Sequence, residues 1–282
     1  MNWRKTEECI FKGLMISSAV IVLGSLTLIL CTVVLRGLPA LNLDMLTQTP
    51  KGGFYLGGAG GILNAIVGSL YLAGGATALA LAISLPIALY LHFYVTRSRH
   101  AAMIRLALDV LWGIPSIVYG VFAFILMLWL GLRASLLGGI IALTLLELPI
   151  MTRGMDEALA MVPPTLKEAS YSLGATSFET ALKVSVRQSM PGLLTAILLA
   201  FGRGIGDAAS VLFTAGFTDH LPGSLLEPVA SLPLAIFFQL NTPFPVVQNR
   251  AYASALVLTI IVLSLSMISR RVTGKLTEHI IR

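Results

Sequence analysis

Charge is what this sequence has least of. Only 11% of its 282 residues are Asp, Glu, Lys or Arg, while 56% are hydrophobic; an ordinary soluble domain carries about 25% charged residues. So few polar groups cannot cover so much apolar surface in water, and lipid is the solvent implied. Cysteine is nearly absent as well. Cys9 and Cys31 have no zinc-ligand spacing, and a disulfide between them would need both on one side of a membrane. The four histidines, His92, His100, His220 and His279, are scattered and form no ligand cluster. There is no G-x-x-x-x-G-K-[ST] sequence to cradle a nucleotide phosphate and no H-E-x-x-H. An enzyme embedded in the membrane would need facing aspartates, a Ser-His pair or such a zinc motif, and His92 at a span end has no second group placed by spacing.

What is there is a series of apolar runs. A helix needs about 20 residues to cross ~30 Å of hydrocarbon, and runs of that kind lie near 14–35, 65–94, 114–131, 135–152, 192–217 and 252–269. The second is longer than one crossing and carries Pro86. All are expected to be helical, because lipid leaves an open backbone unsatisfied. The first run is too long for a cleavable signal peptide and no small-residue cleavage site follows it. The net charge of +6 makes no nucleic-acid patch, since the basic residues sit at span ends. Arg4, Lys5, Lys12, Arg97, Arg99, Arg105, Arg153, Lys167, Lys183, Arg187, Arg270, Arg271, Lys275 and Arg282 fall on one side; Arg36, Lys51, Arg133 and Arg250 fall on the other. The positive-inside rule then puts both termini and the long 153–190 segment in the cytoplasm.

The outer stretch 36–63 contains Gly57-Gly58-Ala59-Gly60-Gly61, which reads as a hinge rather than a phosphate nest because no nest-forming Lys or Ser/Thr accompanies it. Arg105 and Asp109, four apart before the third run, have the spacing of a helical ion pair. The segment 153–190 is more informative. Pro163-Pro164 ends what precedes it, and Thr165 with Glu168 has capping-box spacing. A helix is expected over 166–173, closed by Gly174 in the left-handed conformation. Thr176 and Glu179 repeat the box and start a second helix at 177, which should stop near Ser189 where Ser189-Met190-Pro191 looks like a new start. The first helix would place Leu166, Ala169, Ser170 and Leu173 on one face, suited either to docking in a groove or to plain solvent.

Glu168-Ala169-Ser170, three residues and Gly174 together resemble the EAA loop of ABC importer permeases, with Val184 and Val186 at its aliphatic positions and Arg187 where the pattern has proline. Three further segments are similar to phosphate importer permeases of the PstA type: 61–69, Ile114-Pro115-Ser116-Ile117-Val118-Tyr119-Gly120, and Ser231-Leu232-Pro233-Leu234 with the later Pro243-Phe244. The resemblance runs along nearly the whole chain. It implies an all-α membrane protein of about six transmembrane helices with the type I ABC importer permease (MetI-like) fold. Residues 1–63 would form a cytoplasmic segment, first span and outer loop, and 64–282 the permease domain with its coupling loop at about 153–190. The implied function is one half of the path of an ATP-driven phosphate importer in the bacterial inner membrane, with molybdate, tungstate or sulfate as alternative cargo. The implied partners are a second, PstC-type permease, two PstB-type ATPase subunits that bind the ATP, and an extracytoplasmic PstS-type phosphate-binding protein. The chain itself would hold no cofactor or metal. Glu168, Ala169, Ser170 and Gly174 would contact the ATPase.

Arg203, within Gly202-Arg203-Gly204-Ile205-Gly206-Asp207, stands inside the fifth run, about 18 Å along a helix from Pro191. An ionised arginine there costs roughly 3 kcal/mol and demands a partner or a wet path. Asp207, four residues on, can reach it. Either the two neutralise each other, or Arg203 offers its planar fork to the anion while Asp207 holds it; the stretch resembles the G-R-x-x-G-E of phosphate permeases, with Asp207 for the glutamate. Glu147, near the end of the fourth run, reads as a charge that reaches the interface.

Overall fold

The computed structural model describes residues 3–51, 59–95 and 98–277; Gly57, Gly58, Arg97 and Arg282 lie outside them. Apolar composition along a 3.6-residue repeat gives long helices. Helix α1 (Trp3–Gly37) is followed by a short helix α2 (Leu43–Thr47) and a two-residue hairpin, β1 (Pro50–Lys51) against β2 (Ala59–Gly60). Then come α3 (Leu63–Phe93), α4 (Arg99–Trp112), α5 (Ser116–Trp129), α6 (Leu136–Ala160) and α7 (Pro164–Ser172). A single turn α8 (Ser177–Glu179) runs through a π-helical segment, Thr180–Ser185, into α9 (Val186–Ile205), and α10 (Leu232–Leu240) and α11 (Pro245–Thr277) complete the order. Among the described residues five helices are long and apolar enough to cross a membrane, or six if the bent pair α4–α5 is one span.

The centre of the bundle is α3, α6 and α9. Ala73, Ala76, Ala80, Ser84 and Ala88 recur every three or four residues along α3 and are all fully buried. Small residues let backbones approach, and membrane helices rely on such packing because lipid gives apolar side chains no reason to leave it. The α6–α9 seam follows the same rule: a Cβ on Gly154 would meet Ala196 at 2.8 Å, and one on Gly192 would meet Ala158 at 2.6 Å. Helix α1, by contrast, packs chiefly along α11 and keeps nearly its whole apolar surface exposed, as a lipid-facing span does.

Four expectations need correction. The third run is not a straight span: α5 has 14 residues, about 21 Å, and bends 101° from α4 at Gly113–Pro115, where Tyr119 donates to the Leu111 carbonyl at 2.7 Å. The fifth run does not reach 217; α9 ends at Ile205 and an irregular, hydrogen-bonded stretch leads to α10. Its weak helix formers Gly202, Gly204 and Gly206 favour that ending, and Asp207 turns the chain by accepting from the Ser210 backbone at 2.8 Å. The helix from Ser177 does not stop at Ser189, because Pro191 is absorbed inside it and Ser189 returns its hydroxyl to the Ser185 carbonyl at 2.8 Å. Finally, Thr165 caps nothing: α7 begins at Pro164, whose fixed φ suits the first helical position.

Candidate functional site

Arg203 lies three residues from the end of α9 and points outward, its side chain 51% exposed, along a groove of about 420 Å³ between α9 and α11 lined by Thr195, Leu199, Val262 and Ser266. Asp207 is buried at 5% exposure, and the two approach to 3.7 Å through one guanidinium nitrogen. The expected partner is therefore present but loosely held. The other Asp207 oxygen accepts from the Ser210 amide at 2.8 Å and its hydroxyl at 2.6 Å. Its main work is to fasten the turn after α9. Behind that turn, a Cβ on Gly120 would strike the Ala209 and Ser210 carbonyls at 2.8 Å, so α5 braces the same segment. Only one nitrogen of the Arg203 fork approaches Asp207.

On the inward side of the same stretch lies Glu147. It does not reach an interface. It is 0% exposed, the twelfth of the 25 residues in α6, which runs on to Ala160 and so leaves it mid-helix. Thr77 on α3 donates to one oxygen at 2.8 Å, while the other has no hydrogen-bond partner and faces Gly204 on α9. A Cβ on Gly204 would collide with that carboxyl group. Three helices thus meet on one acidic side chain directly behind Arg203. The sequence signal was the carboxylate in an apolar run; an early end assigned to the helix disguised its depth.

At the end of the bundle where α3 stops and α6 passes into α7, the loop between α6 and α9 takes the shape its residues dictate. Gly174 adopts φ +82°, Gly174 and Ala175 donate to the Tyr171 and Ser170 carbonyls, and the turn closes α7. Thr176 and Glu179 form the full capping box of α8. Glu168, Ala169 and Gly174 are exposed together, as a docking surface requires. Ser170 is not on that face: its hydroxyl meets Thr180 at 2.9 Å and ties α7 to the π-helical segment. Sequence reasoning missed Tyr171 and Phe178, exposed apolar residues on either side of Gly174 in the chain.

A polar hub holds this end. Arg105 on α4 grips Asp156 on α6 with two nitrogens, at 2.7 and 3.0 Å, while Arg153 contacts Asp109 at 2.9 Å and Asp156 at 3.4 Å. Arg105 and Asp109, expected to pair with each other, each pair across to α6 instead, because a helix surface offers a better-fixed partner than the next turn. Among the described residues no group of three or more His, Cys, Asp or Glu could hold a metal ion.

One place presents a half-exposed guanidinium along a groove, the other an exposed turn closed by Gly174. Several lipid-length helices around a seam of small residues make this a membrane-embedded bundle. The model of the binding-protein-dependent transport system inner membrane component matches residues 80–280. The chain is 36% identical over 95% of its length to 94% of the phosphate transport system permease protein PstA of Haemophilus influenzae. It is also 34% identical over 97% of its length to 92% of the same-named protein of Yersinia pestis. The chain belongs to this family of inner membrane transport components, and within it to the PstA-type permeases. Among solved structures, an inward-facing methionine ABC transporter, MetNI, superposes with a TM-score of 0.61 at 20% identity, covering 76% of this chain and 95% of that one. An amino acid ABC transporter gives 0.58 at 18%, covering 76% and 92%. These share the fold, that of MetI-type ABC importer permeases.

Proposed function

We propose that this chain forms half of the translocation pathway of an ATP-driven importer of inorganic phosphate. The observation that carries the substrate is the end-to-end similarity to relatives named for phosphate transport. Arg203 supports the reading from chemistry: a half-exposed guanidinium at a helix end suits a tetrahedral oxyanion. In this reading residues 1–63 add a span and outer loop to a permease domain at 64–282, and Asp207 supports the path from behind the arginine. The end that carries Arg105, Arg153 and Lys167 faces the cytoplasm with both termini. A second, PstC-type permease completes the path, two PstB-type ATPases bind ATP and dock on Glu168, Ala169 and Gly174, and a PstS-type protein delivers phosphate. Ser170 serves the docking helix from its inner side.

The test is reconstitution of the four components in vesicles, with labelled phosphate uptake measured against excess molybdate, tungstate or sulfate. ATP-dependent uptake that only phosphate and its close analogue arsenate suppress is expected; equal suppression by molybdate or sulfate would overturn the substrate. In the same vesicles Gly174→Val forces a β-branched residue into the left-handed region. Uptake and stimulated ATP hydrolysis should both fall about five- to thirtyfold, as expected for about 1–2 kcal/mol of turn strain, with membrane abundance unchanged.

A further inference from the structure

Two side-chain ties join α7 to the membrane bundle. One is local, the Ser170–Thr180 contact already described. The other reaches across: the Lys167 ammonium, on α7, donates to Nε2 of His92 and stands 5.1 Å from the centre of the Phe93 ring. His92 and Phe93 are the last two residues of α3. An ammonium has donors only, so His92 must turn a lone pair toward it, which leaves the imidazole neutral with its proton on Nδ1. Burial pushes the Lys167 pKa down, the mark of an ammonium taken partly out of water, where the loss of an acceptor matters. Helix α3 is also the one that carries Thr77 to Glu147, behind Arg203.

We propose that Lys167 and His92 form a proton-sensitive tie that makes α3 follow the coupling helix, so that both are positioning residues for the coupling of ATP hydrolysis to transport. The inference rests on reading α7 as the coupling helix. Protonation of His92 removes its lone pair and sets two cations in contact. Among the described residues, the charged groups facing His92 are Lys167 from α7, Arg105 from α4 and Asp156 from α6. Asp156 alone favours a charged imidazole, and it is already gripped by the Arg105 fork and by Arg153. Acidification therefore loosens the tie, and the aromatic ring under the ammonium is left as its only remaining hold on α3.

The complete transporter tests this in vesicles with the ATPase side exposed, using phosphate moved per ATP hydrolysed as the readout. Between about pH 8 and about pH 5, a window that extends below histidine's ordinary pKa of ~6.5 because an ammonium in contact disfavours the imidazolium, the wild-type ratio should fall about three- to tenfold, the worth of one hydrogen bond. His92→Gln keeps an acceptor for Lys167 and does not titrate, so its ratio should stay at the wild-type alkaline value at both pH values. Lys167→Met should be low at both. A His92→Gln profile that drops like the wild type, or normal coupling in Lys167→Met, overturns the proposal. A second readout needs no substrate: a nitroxide on Ser172→Cys, with Cys9 and Cys31 replaced by serine, should gain mobility on acidification in the wild-type background and not in His92→Gln. Identical pH responses in both backgrounds would remove the tie while leaving the transport reading intact. A mobile label without phosphate uptake would do the reverse.

Discussion

Two arginine–aspartate pairs in this molecule share their chemistry and differ in almost everything else. Asp156 and Asp207 are both buried, each at 5% exposure. Arg105 meets Asp156 across two helices with both arms of the fork at hydrogen-bond distance. Arg203 meets Asp207 along one chain, past a helix end, through a single contact at 3.7 Å. A fork is closed when two rigid elements present both partners, and a single loose contact to a half-exposed arginine contributes at most about 1 kcal/mol. The closed pair commits the arginine to structure. The open pair leaves it available for something that arrives.

The sharpest way to break this contrast is to keep the charge and change the geometry. Arg203→Lys retains a cation but loses bidentate recognition, worth about 1.5–3 kcal/mol for hydrogen bonds to a charged group. Phosphate uptake in reconstituted vesicles should fall about ten- to a hundredfold, since about 1.4 kcal/mol is a factor of ten, with normal membrane abundance. Arg203→Gln should fall at least as far. The double variant Arg203→Gln/Asp207→Asn should recover nothing, because the loose contact gives neutralisation little to restore. Recovery by the double variant would make the pair structural and collapse the comparison.

Arg105→Met is the converse. It removes the fork from buried Asp156, for which Arg153 remains at 3.4 Å, so about 1.5–3 kcal/mol of stability should be lost rather than the whole cost of a bare buried charge. The partial exposure of Arg105, 25% of its side chain, places the effect toward the lower end. Thermal unfolding in detergent should shift down, while the transport rate per inserted molecule should change less than for Arg203→Lys. Equal loss of rate in the two variants would mean that the hub, too, lies on the path.

The sequence carried the fold class because lipid-length apolar runs and the glycine-closed loop are local facts. Gly174 needed only its own backbone, and the Thr176–Glu179 box closed as its spacing required. What was not legible depended on partners distant in the chain. Arg105 chose Asp156 over Asp109 because α6 packs beside α4. Glu147 became the deepest acidic side chain because α6 continues past residue 152, and no hydropathy pattern marks that continuation once the polar residues Arg153, Asp156 and Glu157 begin. The break after Ile205 was hidden for the opposite reason: the residues from Ala208 to Phe217 remain apolar enough to read as membrane, yet they fold as a turn around Asp207 and Ser210.

That turn supplies the finest cut between the two pairs, and the smallest effect. If Asp207 served as a counter-ion, Asp207→Asn would leave Arg203 uncompensated and cost nearly what Arg203→Gln does. Its bonds argue otherwise. The oxygen that accepts from the Ser210 amide and hydroxyl can be the oxygen of an asparagine amide, and asparagine gives up only the loose approach to Arg203 at 3.7 Å. Asp207→Asn should therefore reduce phosphate uptake by no more than about threefold, in line with a single long contact to a half-exposed arginine, worth under ~1 kcal/mol. Asp207→Ala, which leaves both Ser210 donors unsatisfied in a buried turn, should cost about 1–3 kcal/mol and lower abundance as well as uptake. Asparagine behaving like wild type and alanine like a folding mutant would assign Asp207 to the backbone and leave Arg203 to the anion. An asparagine variant as inactive as Arg203→Gln would return the carboxylate to the arginine, and the two pairs would then differ in distance only.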